Sequence, residues 1–291
     1  MNSFTIKDLE NLSGIKAHTI RAWEQRYQLI KPRRTYTNIR YYSNDELKKV
    51  LNIALLNKYG YKISHIDKMK EQEVKEKISS LTQQAHEEKT ISKLIEYLVD
   101  LDIEALENTI NRTITTRGIE RAVAQIIFPF LERIGILWNT NHINPAQEHL
   151  VSNIIRQKLI LGIESASLPA KTDKSVLLFL PEGEHHELGL LFMNYLLKIR
   201  GIPTIYLGAN IPLEDVEYVV NYKKPTYLYT HLTCVCAGFC FEKFIKDIKR
   251  RFAGKSLFIS GKLTNTYMKK IPAHINFKKS FTEVMDFVEE L

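Results

Sequence analysis

Two adjacent histidines, His185 and His186, lie between Glu184 and Glu187 in the stretch PEGEHHELG, directly after the apolar run SVLLFLP. An imidazole in this setting can ligate a metal, move a proton, or do nothing chemical. Glu184 precedes His186 by two positions and Gly189 follows it by three. A carboxylate bonded to one ring nitrogen fixes the tautomer and strengthens the other nitrogen as a donor. A glycine at a strand-to-helix turn lets a bulky ligand approach the backbone. One histidine is too few for a zinc site built by protein alone. It suffices as the single axial ligand of a macrocycle that carries its own metal.

A second cluster is CVCAGFC, with Cys234, Cys236 and Cys240, and His231 nearby. The resulting H-x-x-C-x-C-x-x-x-C spacing is not a familiar zinc arrangement, and cysteines serve equally well as small apolar fillers. Metal sensing through these residues is therefore a rival use of the chain.

The elements that must position these groups change along the chain. After the polar linker SLPAKTDK, short apolar runs (SVLLFLP, IPTIYLG, PTYLYTHL, SLFISG) alternate with helical stretches such as ELGLLFMNYLLKIRG and FCFEKFIKDIKRRFAG. Such alternation predicts a doubly wound parallel sheet over residues 171–291. Ligands in these sheets sit beyond the carboxyl ends of the strands, where PEGEHHELG falls. Residues 76–170 carry four apolar-periodic segments of bundle length, broken at Gly118 and between Asn139 and Asn144.

Residues 1–75 have a different character. All the excess positive charge lies early: residues 1–70 hold 14 Lys and Arg against 6 Asp and Glu, and the remainder is balanced. That is the footprint of a nucleic-acid-binding module joined to a neutral one. Thr5 caps a first short helix that stops at Gly14. A second follows at once, with Ile20, Trp23 and Tyr27 on one face and His18, Arg21 and Gln25 on another. This pair reads as a helix-turn-helix. In KPRRTYTNIRYYS, arginines interleave with tyrosines around Thr37-Asn38, which predicts a two-stranded wing. Ser43 then caps a helix ending at Gly60, and a further short helix starts at Ser64. No apolar run approaches the ~18 residues of a membrane span, and the amino terminus shows no leader pattern, so a cytoplasmic protein is expected.

Residues 1–70 resemble the winged helix-turn-helix of MerR-family transcription regulators through TIRAWEQRY, KPRR and RYYS in that order. The resemblance implies base contacts near Ala17, His18, Thr19 and Arg21, and phosphate contacts from Arg33, Arg34, Tyr36 and Arg40 on double-stranded operator DNA. The E-H-H-E loop resembles the D-x-H-x-x-G loop of cobalamin-binding domains, with Glu184 in place of Asp. It implies His186 as the cobalt ligand, Glu184 as its partner and His185 as a bystander. Such domains also carry S-x-L and G-G along the buried nucleotide tail. The matching places here are Thr230-His231-Leu232 and Ser260-Gly261. In the bundle, Trp138 is followed nine residues on by Glu148-His149, a W-x9-E-H signature of CarH/LitR-type photoreceptors. This implies that Trp138, Glu148 and His149 face the upper side of the corrin, against a 5'-deoxyadenosyl group.

The resemblance thus covers nearly the whole chain. It implies an α+β multidomain protein with a winged helix-turn-helix head, a four-helix bundle, and a doubly wound α/β (Rossmann-like, flavodoxin-like) cobalamin-binding domain. The implied function is a homo-oligomeric, dimeric or tetrameric repressor that senses light through adenosylcobalamin. One departure concerns the trigger. Related proteins carry a histidine after the tryptophan that ligates cobalt once light breaks the carbon–cobalt bond, whereas this chain has Asn139, with His142 three residues on. A regulator that binds another corrinoid, or none, is the alternative. An enzymatic role as a corrinoid methyltransferase subunit or mutase fragment would call for a substrate-binding barrel or second catalytic domain, neither of which is visible in the 291 residues, and would leave the basic head without a use.

Overall fold

The computed structural model describes residues 3–27, 29–79, 83–139, 143–166, 172–233, 239–269 and 271–291. The chain forms two compact units, Met1–Asn153 and Ile154–Leu291.

The first unit begins with α1 (Ile6–Ser13) and α2 (Ala17–Arg26). Thr5 and Asp8 form a reciprocal capping box at the start of α1, and Gly14 ends it in the left-handed conformation. A cap of this kind contributes about 1 kcal/mol. β1 (Arg33–Arg34) and β2 (Arg40–Tyr41) pair antiparallel as the wing, with Asn38 at positive φ in the turn. The bridge from Phe4 to Tyr42 ties the wing's base to the chain ahead of α1. Ser43 caps α3 (Asn44–Lys58) through Glu46 N. α4 (Ile63–Ile66) starts one residue earlier than the sequence suggests, with Lys62 at its cap, and α5 (Glu71–Ser79) follows. Leu9, Leu12, Ile20, Trp23, Leu47 and Val50 form the head's core.

The helical segment contains α6 (Gln83–Asp100), α7 (Ile103–Ala122), α8 (Phe128–Asn139) and α9 (Pro145–Ser165). Gly118, at φ 76° and ψ 159°, breaks α7. That region of backbone space is essentially closed to other residues. Between α7 and α8 the helix widens to a π turn over Val123–Ile127. Pro129 explains it: proline has no N–H to donate and its ring would strike the carbonyl four residues back. Leu94, Leu98, Leu106, Ile110, Ile126, Phe130 and Leu137 are buried along these helices.

The second unit is a parallel sheet with helices. β3 (Val176–Pro181), α10 (Leu188–Lys198), β4 (Thr204–Ile211), α11 (Leu213–Lys223), β5 (Tyr227–His231), α12 (Phe241–Arg251), β6 (Ser256–Ser260), β7 (Ile275–Lys278) and α13 (Phe281–Glu289) follow in that order. The strand order is β4-β3-β5-β6-β7, all parallel. This is the flavodoxin-like arrangement, whose order reverses between β3 and β5. Every residue of β3 is buried, as a strand covered on both faces requires. β7 is a strand that the apolar pattern does not announce, since INFK is only four residues long and mostly half-buried.

Candidate functional site

At the reversal point the loop after β3 is gripped from both sides. Asn210, near the end of β4, accepts from Gly183 N at 2.9 Å and donates its own N–H to the Glu184 carbonyl at 3.2 Å. Glu184 is only 2% exposed. Its Oε1 accepts from His186 N at 2.9 Å and pairs with His186 Nδ1 at 2.6 Å. Its Oε2 accepts from Thr233 N, just past β5, at 2.9 Å. One carboxylate therefore joins the ends of β3 and β5 and sets the imidazole's orientation. With a proton on Nδ1 shared with the carboxylate, the ring's donor lone pair is on Nε2. The His186 side chain is 53% exposed, and His185 is exposed beside it. Glu187 turns the other way, taking an ion pair from Arg156 on α9 and a bond from Tyr206 Oη at 2.8 Å. Burial raises the Tyr206 pKa, and the bond to Glu187 adds to the shift.

The second part of the site is at the ends of β5 and β6. Strand alternation decides which side chains face it. Leu228 and Leu232 join the buried cluster of Val216, Val220, Phe244 and Ile248 from α11 and α12, so Thr230 between them faces the same layer. Tyr229 instead stacks on Phe287 of α13. On that second face His231 Nδ1 lies 2.7 Å from Ser260 Oγ, which also bonds Tyr229 Oη at 2.5 Å. The His231 ring rests on the first turn of α10: a Cβ built on Gly189 would meet its Cδ2 at 2.4 Å and Nε2 at 2.5 Å. Desolvation by burial lowers the His231 pKa to about 4, against a smaller upward pull from Glu184. The ring is thus neutral near pH 7. Gly261 closes the site from β6, where an added Cβ would lie 2.3 Å from the Leu232 carbonyl oxygen. Sequence spacing makes His231 a companion of the cysteines, but the fold turns it to Gly189 and Ser260.

The donor chemistry of the loop fits a corrinoid. An oriented imidazole with a buried carboxylate behind it is a single-ligand donor set of the kind an axial position needs. Gly189 and Gly261 are closely approached by the protein's own His231 ring and Leu232 backbone, and the Thr230 hydroxyl, on the α11 and α12 side of β5, is buried with no hydrogen-bond partner. Among the described residues no group of three His, Cys, Asp or Glu could hold a metal ion. Cys240 is exposed, while Cys234 and Cys236 lie outside the described residues, so the cysteine-site expectation cannot be placed on the fold.

On the helical segment Trp138 is in the last turn of α8 and 42% exposed. Glu148 and His149 are in the first turn of α9. Asn144 and Gln147 cap that turn reciprocally at 3.0 Å each, ahead of Pro145. The Gln147 amide also donates to Leu98 O at 2.9 Å. Glu148 accepts from Ser152 Oγ at 2.5 Å, and His149 Nδ1 lies 3.3 Å from its other oxygen. His142 and the side chain of Asn139 lie outside the described residues.

In the head, Ile20 and Trp23 bury one face of α2 while His18 and Arg21 are exposed on the other; Ala17 and Thr19 are half-buried. Arg33 and Arg34 are exposed in β1, and Tyr36 is fully solvated at the wing tip. Arg34 donates to Asn38 Oδ1 at 2.7 Å. Arg40 differs from its neighbours: its Nε pairs with Glu24 on α2 at 3.0 Å, and the same carboxylate accepts from the buried Tyr42 hydroxyl. Burial and this bond raise the Tyr42 pKa. The pair fixes the wing against the second helix, a link between residues 16 positions apart that spacing does not reveal. Among the described residues no helix is long and apolar enough to cross a membrane.

Comparison with known proteins agrees with this architecture. Residues 4–73 match the MerR HTH family regulatory protein, and residues 90–161, on the helical segment, match the B12 binding domain. The chain is 27% identical to the HTH-type transcriptional repressor CarH of Myxococcus xanthus over 78% of its length and 77% of that protein. It is 26% identical to the HTH-type transcriptional repressor CarA of the same organism over 91% of its length and 89% of that protein. The monomethylamine corrinoid protein of Methanosarcina barkeri has the same fold over 68% of this chain and 97% of its own, with a TM-score of 0.55 and 13% identity. The chain therefore carries a MerR-type helix-turn-helix together with a cobalamin-binding domain, and is homologous to CarH and CarA.

Proposed function

We propose that the chain is a cobalamin-dependent repressor that reads light through adenosylcobalamin and leaves its operator when the cofactor is photolysed. The observation that carries the reading is the Glu184 carboxylate, buried between His186 Nδ1 and Thr233 N at the strand-order reversal. In this reading His186 supplies Nε2 to cobalt, and Glu184 holds the ring and raises its donor strength. Gly189, Thr230, Leu232, Ser260 and Gly261 would hold the nucleotide tail of the bound corrinoid. By the same resemblance Trp138 would offer an indole for stacking on the cofactor, and Glu148 and His149 would offer hydrogen-bonding groups for ribose hydroxyls. The bound cofactor supplies a light-labile carbon–cobalt bond.

The head supplies the output. Ala17, His18, Thr19 and Arg21 read base edges in the major groove, while Arg33, Arg34 and Tyr36 hold backbone. Arg40 holds backbone as well, from a guanidinium positioned by Glu24. The three domains are 1–75, 76–170 and 171–291, working in a cytoplasmic homo-oligomer, dimeric or tetrameric. Linked heads bind through effective concentration, so dissociation of the oligomer weakens operator binding without altering any head. By linkage the intact cofactor must favour the assembled state.

The test is gel filtration and operator binding of the full chain with adenosylcobalamin, dark and after green light. The reading expects a larger, DNA-bound species in the dark and its loss after light. Asn139 after Trp138 favours a second reading, a light-independent corrinoid regulator. It is selected if adenosylcobalamin binds and supports DNA binding while light changes neither. Cobalamin without any effect on assembly or DNA binding overturns both.

A further inference from the structure

Where the corrinoid reading would place a nucleotide tail, beside Gly189 and Ser260, stands a side chain of this protein. The His231 imidazole covers the first turn of α10 so closely that Gly189 has no room for a methyl group, and it is held there by Ser260. Ser260 is itself anchored by Tyr229, which stacks on Phe287 of α13. The ring thus stands between the three elements, β3–α10, β5 and β6, over Gly189 and against Ser260. We infer that His231 is a plug in the tail slot, which a corrinoid carrying a nucleotide tail must displace and a tailless corrinoid need not. The inference rests on the corrinoid reading of the site and adds a residue that selects among corrinoids by their lower half.

Displacing the plug costs the bond to Ser260 and the packing on Gly189, which at about 1–1.5 kcal/mol for a buried hydrogen bond corresponds to about tenfold in affinity. The experiment titrates the full chain with aquocobalamin and with diaquocobinamide, which has no tail, following absorbance. His231→Ala is expected to tighten aquocobalamin about tenfold and leave diaquocobinamide unchanged. His231→Phe keeps a ring in the slot, and is expected to bind aquocobalamin no more tightly than the unmodified chain.

A readout on the unmodified protein guards against a misfolded alanine variant. Histidine-ring NMR, with the His231 signal assigned by its loss in His231→Phe, should show that signal moving with aquocobalamin and staying with diaquocobinamide. An unchanged ratio of the two affinities in His231→Ala, weaker aquocobalamin binding, or a His231 signal indifferent to the tail overturns the plug while corrinoid binding stands. Failure of the unmodified chain to bind either compound overturns the corrinoid reading, and the plug with it.

Discussion

Replacing Glu184 with glutamine preserves the shape of the side chain that orients His186 and removes its charge. The carboxylate now receives three donors, His186 N at 2.9 Å, His186 Nδ1 at 2.6 Å and Thr233 N at 2.9 Å. An amide has one oxygen, so it can face either the histidine or Thr233, and its NH2 must then meet a donor on the other side. At least one charge-assisted bond is lost, worth about 1.5–3 kcal/mol. Because the imidazole loses its fixed tautomer and orientation, much of this should appear as about 10–100-fold weaker corrinoid binding. The assay is a titration of the full chain with aquocobalamin by absorbance, beside thermal unfolding of the unliganded protein to confirm that the variant folds. A folded Glu184→Gln protein that binds within about threefold of the unmodified chain would refute the orienting role.

The remaining predictions address packing and the head. Gly118→Ala should lower stability by about 1–3 kcal/mol in chemical denaturation, through backbone strain alone, since nothing lies within 4 Å of the added methyl. Gly189→Ala should cost about 1–3 kcal/mol by overpacking against His231. A double-mutant cycle with His231→Ala should recover at least about 1 kcal/mol of that cost, whereas strict additivity would mean the two residues are not in contact. Arg33→Ala should weaken DNA binding across all sequences and reduce the salt slope by about one, while Arg21→Ala should relax base preference at about 1–3 kcal/mol. Competition assays at several salt concentrations separate the two.

What could be read from the sequence follows how local the cause is. Thr5, Gly14 and Ser43 announce helix ends because caps act within three or four residues. Gly118 announces a break because its conformation is its own. The pairing of Glu184 with His186 is legible for the same reason, being two residues apart. Its second bond reaches Thr233 across 49 positions and needs the order of β3 and β5 to be known. His231 is the clearest instance of what spacing hides. It lies beside three cysteines in the sequence, while its contacts with Gly189 and Ser260 follow from its place on the face of β5 opposite Leu228 and Leu232. Arg40 reads as a phosphate contact like Arg33 and Arg34, and spacing does not show that the fold also pairs it with Glu24. β7 escapes because four mostly half-buried residues carry too little pattern to stand out.

The central claim is that His186 presents a nitrogen to a corrinoid cobalt. Electron paramagnetic resonance of the full chain loaded with Co(II) cobalamin tests it directly. The account predicts hyperfine splitting from one imidazole nitrogen that changes pattern when the protein's histidines carry nitrogen-15, and that vanishes in His186→Ala. A splitting that nitrogen-15 labelling of the histidines leaves unchanged would contradict it.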